Sequence, residues 1–456
     1  MILNQNTGYF YNTAILKLTN QPYSKVYRGV KRLQTAYDLF SKEIQSKKIE
    51  LINQEICANA NDFYKKMIDV LISKIVLVEI ECNQSSNAFQ VFDSLNGKGL
   101  DLTAADRIKN ILLSWSPKGK GARKWDAFVD SIGEEHLTSF FVALFFATKG
   151  KRISKNKLPE EFKKDYKDSA TQAFDYFFND IAEKGKLYGI LRDAKTEVDE
   201  IDEMIKDLNQ LKSDQSFVLL FATACHYGKD ILKSKEYSRF VKALTTLVVR
   251  MQICDKSTNR LDSIFSSCVN KINTASASLD VITNMINEYT NKMIPDDEFK
   301  LGFSRFSTSD SKIAEYYLRK IEEYEKKESG NRQPLYKGLT VEHIIPQTLD
   351  DLAKWYGDER VPEEVEVDFK NLVIERLGNK VLLYGDDNSA AGNNDYESKK
   401  NIYAEGKKDQ NQGTPAKTFK LVEELLSDYP DKFTHAEVDS RSEKLAEIAL
   451  KIWNVK

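Results

Sequence analysis

The chain has 456 residues, 41% hydrophobic and 30% charged, with a formal net charge of −2. That length exceeds one ordinary core and predicts two to three domains, while the near-neutral balance excludes a global pull on a polyanion, so nucleic-acid contact must come from local patches. No apolar run approaches the ~20 residues of a membrane helix, and the start MILNQNTGYFYNT lacks the features of a secretory signal, which predicts a cytoplasmic protein without membrane contact.

The front of the chain reads as largely helical, as in SKVYRGVKRLQTAYDLFSKEIQ. KIVLVEIEC (74–82), short and rich in β-branched residues, predicts a strand. AFQVFDSLNGKGLDLTAADRIKNILL (88–113) reads as a helix ended by Gly97 and Gly99, then a second helix capped at Thr103 with Asp106 in its first turn. Between roughly 125 and 295, runs such as LTSFFVALFFATK and YSRFVKALTTLVVRMQ form a helical middle region. In SDSKIAEYYLRKIEEYEKK (309–327), Ile313, Tyr317, Ile321 and Tyr324 recur at spacings of four, four and three, marking one face of a helix.

A polar bridge, KKESGNRQPLYKG (326–338), predicts a domain boundary. Two strands follow, LTVEHII (339–345), stopped by Pro346, and KVLLY (380–384), flanking a loop-rich insertion. SRSEKLAEIALKIW closes the chain as an amphipathic helix. The expected fold class is mainly α with small α+β parts: a helical middle region and a C-terminal hairpin-plus-helix unit.

Five cysteines, widely spaced and without a C-x-x-C pair, speak against structural zinc and a disulfide framework. Cys225 and Cys268 sit in apolar runs and read as small buried hydrophobes. Three basic patches (118–124, 149–157, and Lys399, Lys400, Lys407 and Lys408) read more simply as solvated faces than as nucleic-acid contacts.

The chemistry-bearing stretch is TVEHIIPQTL (340–349), holding one of the four histidines beside Glu342. Phosphodiester hydrolysis needs a base for water, a Lewis acid for the phosphate and leaving oxygen, and something to hold them in line. A neutral imidazole at His343 can take the proton. Glu342 and the amide oxygen of Asn388 offer hard oxygens of the kind Mg²⁺ or Mn²⁺ accepts. Neighbouring residues on a straight strand point to opposite faces, so Glu342 and His343 can share a site only where the strand bends or ends. A histidine before x-x-Pro alone is more often a solvated or core residue, and Asn388, Asn393 and Asn394 can be simple turn formers.

EHIIPQ, LGNKVLL, NSAAGNNDYESKK and SRSEKLAEIALKIW together resemble the HNH nuclease domain at the C-terminus of GmrSD-type restriction endonucleases, which cleave modified phage DNA. The positions carrying the resemblance are Glu342, His343, Pro346, Gly378, Asn379, Asn388, Asn393, Tyr396 and Lys399, with Lys380 standing where the pattern has an apolar residue and Tyr396 where phenylalanine is commoner. The resemblance implies a general base at His343, Asn379 orienting the loop behind it, and a divalent cation, Mg²⁺ or Mn²⁺, on Glu342 and Asn388. It also implies DNA contacts from Lys399, Lys400 and Asn393. Around 88–113, Phe92, Leu95, Asn96, Gly99, Leu100, Leu102, Asp106 and Lys109 resemble the segment closing the N-terminal, ParB-like nucleotide-binding domain of the same family, with Asn96 and Asp106 as site residues by resemblance only. The family's Asp-Gly-Gln-Gln-Arg run is missing upstream, so a nucleoside triphosphate enters only if a partner chain supplies that motif.

The expected organisation is a truncated N-terminal domain over 1–118, a helical linking domain over 119–330 and the nuclease domain over 331–456. The partners expected are DNA and a second chain, either the missing half or another copy. The competing readings are a non-catalytic DNA-binding or scaffold remnant and an RNA-directed nuclease.

Overall fold

A computed structural model of the chain describes residues 28–76, 102–116, 121–166, 177–275, 277–330, 338–357, 361–405 and 419–455. It divides into two compact units, Met1–Gln84 and Ser85–Lys456. The division falls inside the span expected to be a first domain, and the expected linking and nuclease regions share the second unit.

In the first unit, α1 (Arg28–Asn53) is followed by α2 (Ala60–Lys74), which starts where the Asn59 side chain accepts the Asp62 N–H. Cys57 and Phe63 are buried between them, while Phe40, Ile72 and Val76 stand exposed. The strand expected over 74–82 starts on the last residue of α2 and, past Val76, lies outside the described residues, as do Asn96 and the Gly97/Gly99 turn.

The first described helix of the second unit is α3 (Ala104–Ser114), where Thr103 and Asp106 form the anticipated cap: each side chain engages the other's backbone N–H. The helical run continues with α4 (Gly121–Ile132), α5 (Leu137–Lys149), α6 (Leu158–Tyr166), α7 (Ala182–Arg192), α8 (Asp199–Gln210), α9 (Asp214–Tyr227) and α10 (Lys235–Ile253). Then come α11 (Leu261–Ala275), α12 (Leu279–Met293), α13 (Asp296–Arg305) and α14 (Ser311–Glu328). The apolar run in α5 is core, its Phe140, Phe141, Leu144, Phe145 and Phe146 all buried, and edge-to-face contacts join Phe128, Phe140, Phe141 and Phe177 into one aromatic cluster. Among the described residues no helix is long and apolar enough to cross a membrane.

The only sheet among the described residues pairs β1 (Leu339–His343) antiparallel with β2 (Lys380–Tyr384), in a register from Leu339↔Tyr384 to His343↔Lys380. Between the strands lie α15 (Leu352–Tyr356) and α16 (Glu363–Phe369); after β2 come α17 (Gly385–Ala391), α18 (Tyr396–Glu405), α19 (Lys420–Asp428) and α20 (His435–Ile452). The fold is therefore mainly α with a small α+β part. α14 packs on one side of the strands and α17 and α18 on the other.

Two buried arginines tie this region together. Arg250 of α10 donates to the carbonyls of Trp453 and Ile294 at 3.0 Å each and to Asp296 at 2.7 Å. Arg441 of α20 donates to the carbonyls of Gly378 and Lys380 at 2.8 Å each, holding the start of β2 against the last helix. Gly378 must be glycine for that approach: a Cβ there would stand 2.2 Å from Ser442 Oγ and 2.4 Å from the Val438 carbonyl.

Candidate active site

β1 presents adjacent side chains to opposite sides, as its pleat requires. Thr340 and Glu342 face α17 and α18: Asn388 Nδ2 donates to Thr340 Oγ1 at 2.9 Å and to the Val341 carbonyl at 3.1 Å, and Lys399 Nζ sits 2.6 Å from Glu342 Oε1. Tyr403 adds a longer hydrogen bond, 3.3 Å, to the same carboxylate oxygen. His343 faces the other way, across from Lys380, with its Nε2 3.4 Å from Glu375 Oε2.

The two faces meet at the end of the strand. A cleft of about 360 Å³ opens there, lined by Glu342, His343, Gln347, Lys380, Asn388 and Asn393 among others. Its position follows from how the chain leaves β1. Asn379, fully buried, accepts the Ile345 N–H at 2.7 Å and donates to the carbonyls of Ile345 at 3.0 Å and Ile374 at 2.9 Å. One amide side chain thus clamps the segment after His343 to the turn before β2. Asn379 is not among the residues that line the cleft; its bonds hold the backbone that follows His343.

Residues 293–448 match the family described as GmrSD restriction endonucleases, C-terminal domain. This stretch is a GmrSD-type C-terminal domain. No curated protein matches the chain. The GmrSD-type match begins at the end of α12, so it takes in α13 and α14 as well as the strands, upstream of the boundary expected near 331.

The electrostatics of the GmrSD-type domain follow from burial. Desolvation raises the Glu342 carboxyl, opposed by the charge and hydrogen bond of Lys399, while desolvation lowers Lys399, opposed by Glu342. His343 is lowered by burial and by the Lys380 charge, against a smaller pull from Glu375. The imidazole is therefore neutral near pH 7, the form that accepts a proton. Burial tends to raise Glu375, but the hydrogen bond and charge of Lys380, with His343 beside it, hold it below the usual range.

Lys399 is not available to flanking phosphates. It is wholly buried, and its ammonium is shared between Glu342 and the His343 carbonyl, 2.5 Å away. Lys400 rests on the Pro430 carbonyl and pairs with Glu397 at 2.6 Å, with its side chain largely covered. Asn393 is exposed in the turn after α17 and lines the cleft. Asn388 lies within the short helix α17 and is not a simple turn former.

Among the described residues no group of three or more His, Cys, Asp and Glu side chains could hold a metal. Glu342 and Asn388 do line one cleft, and Asn388 spends its nitrogen on β1, which leaves its oxygen for another partner. A carboxylate and an amide oxygen fit a hard cation whose remaining ligands are water and phosphate.

A second cleft, of about 370 Å³, lies among the middle helices between His136, Arg192 and Phe217, with no expected site residue in it. The His343 cleft is the stronger candidate because an imidazole, a carboxylate and an amide converge on it. Sequence reasoning missed Glu375, Gln347 and Arg441 here. The one available signal was Lys380, a charged residue inside an otherwise apolar strand.

Proposed function

We propose that the GmrSD-type domain is a metal-dependent endonuclease of the HNH type, the effector of an anti-phage restriction system that cuts modified foreign DNA. The observation that carries this reading is the cleft at the end of β1, on which His343, Glu342, Asn388 and Asn393 converge. His343 takes the proton from the attacking water, for which its lowered pKa suits it. Glu342 and Asn388 would hold Mg²⁺ or Mn²⁺, which when bound supplies charge stabilisation for the phosphate and the departing oxygen. Asn393, exposed and lining the cleft, would contact the DNA backbone.

Plasmid nicking in Mg²⁺ or Mn²⁺ tests the assignment: the wild type cuts and His343→Ala does not. Equal activity in both removes His343 as the base. A second reading, a non-catalytic DNA-binding remnant, draws support from the Lys399 ammonium already held by Glu342. Cation binding without cleavage of plain or modified DNA would favour it.

A further inference from the structure

One buried charged pair beside the cleft has no part in the reaction proposed above. Lys380 is 1% and Glu375 2% exposed, and Lys380 Nζ lies 2.6 Å from Glu375 Oε2 while also donating to the Thr308 carbonyl. Taking two charges out of water is costly, and an apolar pair of similar volume commonly serves stability as well or better. Packing alone therefore does not account for them.

What Glu375 adds is a fixed acceptor behind the imidazole. Its Oε2 faces His343 Nε2 at 3.4 Å, and its Oε1 accepts from Gln347 Nε2 at 3.3 Å. Lys380 stands opposite His343 in the strand register, so the pair is built into the same ladder that carries the histidine. An ionised carboxylate can only accept, so the proton of a neutral imidazole lies on Nε2 and the lone pair on Nδ1. No hydrogen bond joins Nδ1 to the described residues, and His343 lines the cleft whereas Glu375 does not.

We infer that Glu375 is a positioning residue: held by Lys380 and Gln347, its carboxylate fixes His343 as the Nε2–H tautomer and turns Nδ1 toward the substrate cleft. The inference rests on the reading of His343 as the base. Outer partners of this kind typically change activity by about 10–100-fold when removed from metal sites, and the same range is expected here.

The test compares two double variants of the full chain. Glu375→Leu/Lys380→Leu removes both charges and the acceptor. Glu375→Gln/Lys380→Leu removes the charges but keeps an oxygen that can accept the Nε2 proton. In plasmid nicking, the first loses about 10–100-fold in kcat at unchanged KM, and the second recovers most of it. Histidine-selective ¹⁵N spectra at pH 8, assigned with His343→Ala, show a slowly exchanging Nε2 proton in the wild type and in the Gln variant, and lose it in the Leu variant. Thermal melts confirm that both variants fold. Equal kcat in the two variants, or an Nδ1–H tautomer in the wild type, overturns the inference. Absence of cleavage by the wild type overturns the nuclease reading instead, and the tautomer then decides the role of Glu375 on its own.

Discussion

Replacing Asn379 with alanine strips three buried backbone groups of a partner at once: the Ile345 N–H at 2.7 Å, the Ile345 carbonyl at 3.0 Å and the Ile374 carbonyl at 2.9 Å. A buried polar group left unpaired costs roughly 1–3 kcal/mol. The carbonyls suffer less than the N–H because each has a second lone pair, and a water can enter part of the vacated space. The expected loss is about 3–5 kcal/mol. Asn379→Asp is the sharper control, since it keeps the acceptor for Ile345 N–H but sets a carboxylate against two carbonyl oxygens, so it should be at least as damaging. Urea unfolding followed by tryptophan fluorescence reads the change, because Trp355 and Trp453 are both buried in this part of the fold. The midpoint should fall at a constant slope. A loss below about 1 kcal/mol, or better tolerance of Asp than of Ala, would refute the clamp.

Gly378→Ala should cost roughly 3 kcal/mol, because the new methyl meets the Val438 carbonyl at 2.4 Å and backbone cannot swing aside; the same urea titration checks it. Lys399→Met leaves the Glu342 carboxylate buried without its ammonium and should cost roughly 3–5 kcal/mol, whereas adding Glu342→Gln should return much of that loss. Burial pushes the Cys225 and Cys268 thiols up to about 12. At pH 8 only roughly one in ten thousand of each is thiolate, so mass spectrometry should find both unlabelled by a thiol reagent until the protein is unfolded.

Much of this architecture could be read from the residues. The β2 run Lys380–Tyr384 coincides with its expected span, β1 stops two residues earlier than LTVEHII suggested, and α14 runs Ser311–Glu328 along the predicted face. Apolar periodicity and turn chemistry are local, so these elements announce themselves. The strand end also answers the pleat objection: Glu342 and His343 do point apart, and they share a cleft only because β1 terminates at the histidine. Lys399 and Glu375 could not be read in the same way. Each is a charged residue that appears solvated in sequence and is buried only because a partner of opposite sign, 57 residues away for Lys399 and five for Glu375, is carried to it by the fold. Local patterns do not record which opposite charges the fold will bury against each other. Family resemblance pointed to Asn379 as orienting the loop behind His343, but not to the three backbone hydrogen bonds that do it, which leave no mark on composition.

The guanidinium of Arg250 grips the carbonyl of Trp453, and the indole of that tryptophan lies among the rings of Phe303 and Tyr317, at 6.0 and 5.6 Å. A gene fragment cut at the polar bridge would keep the indole and discard the rings of Phe303, Tyr316 and Tyr317 that pack on it. Anyone expressing the strand-bearing part alone should therefore expect insoluble material unless the piece reaches back through α13, and even then one arginine from α10 would be missing from its underside.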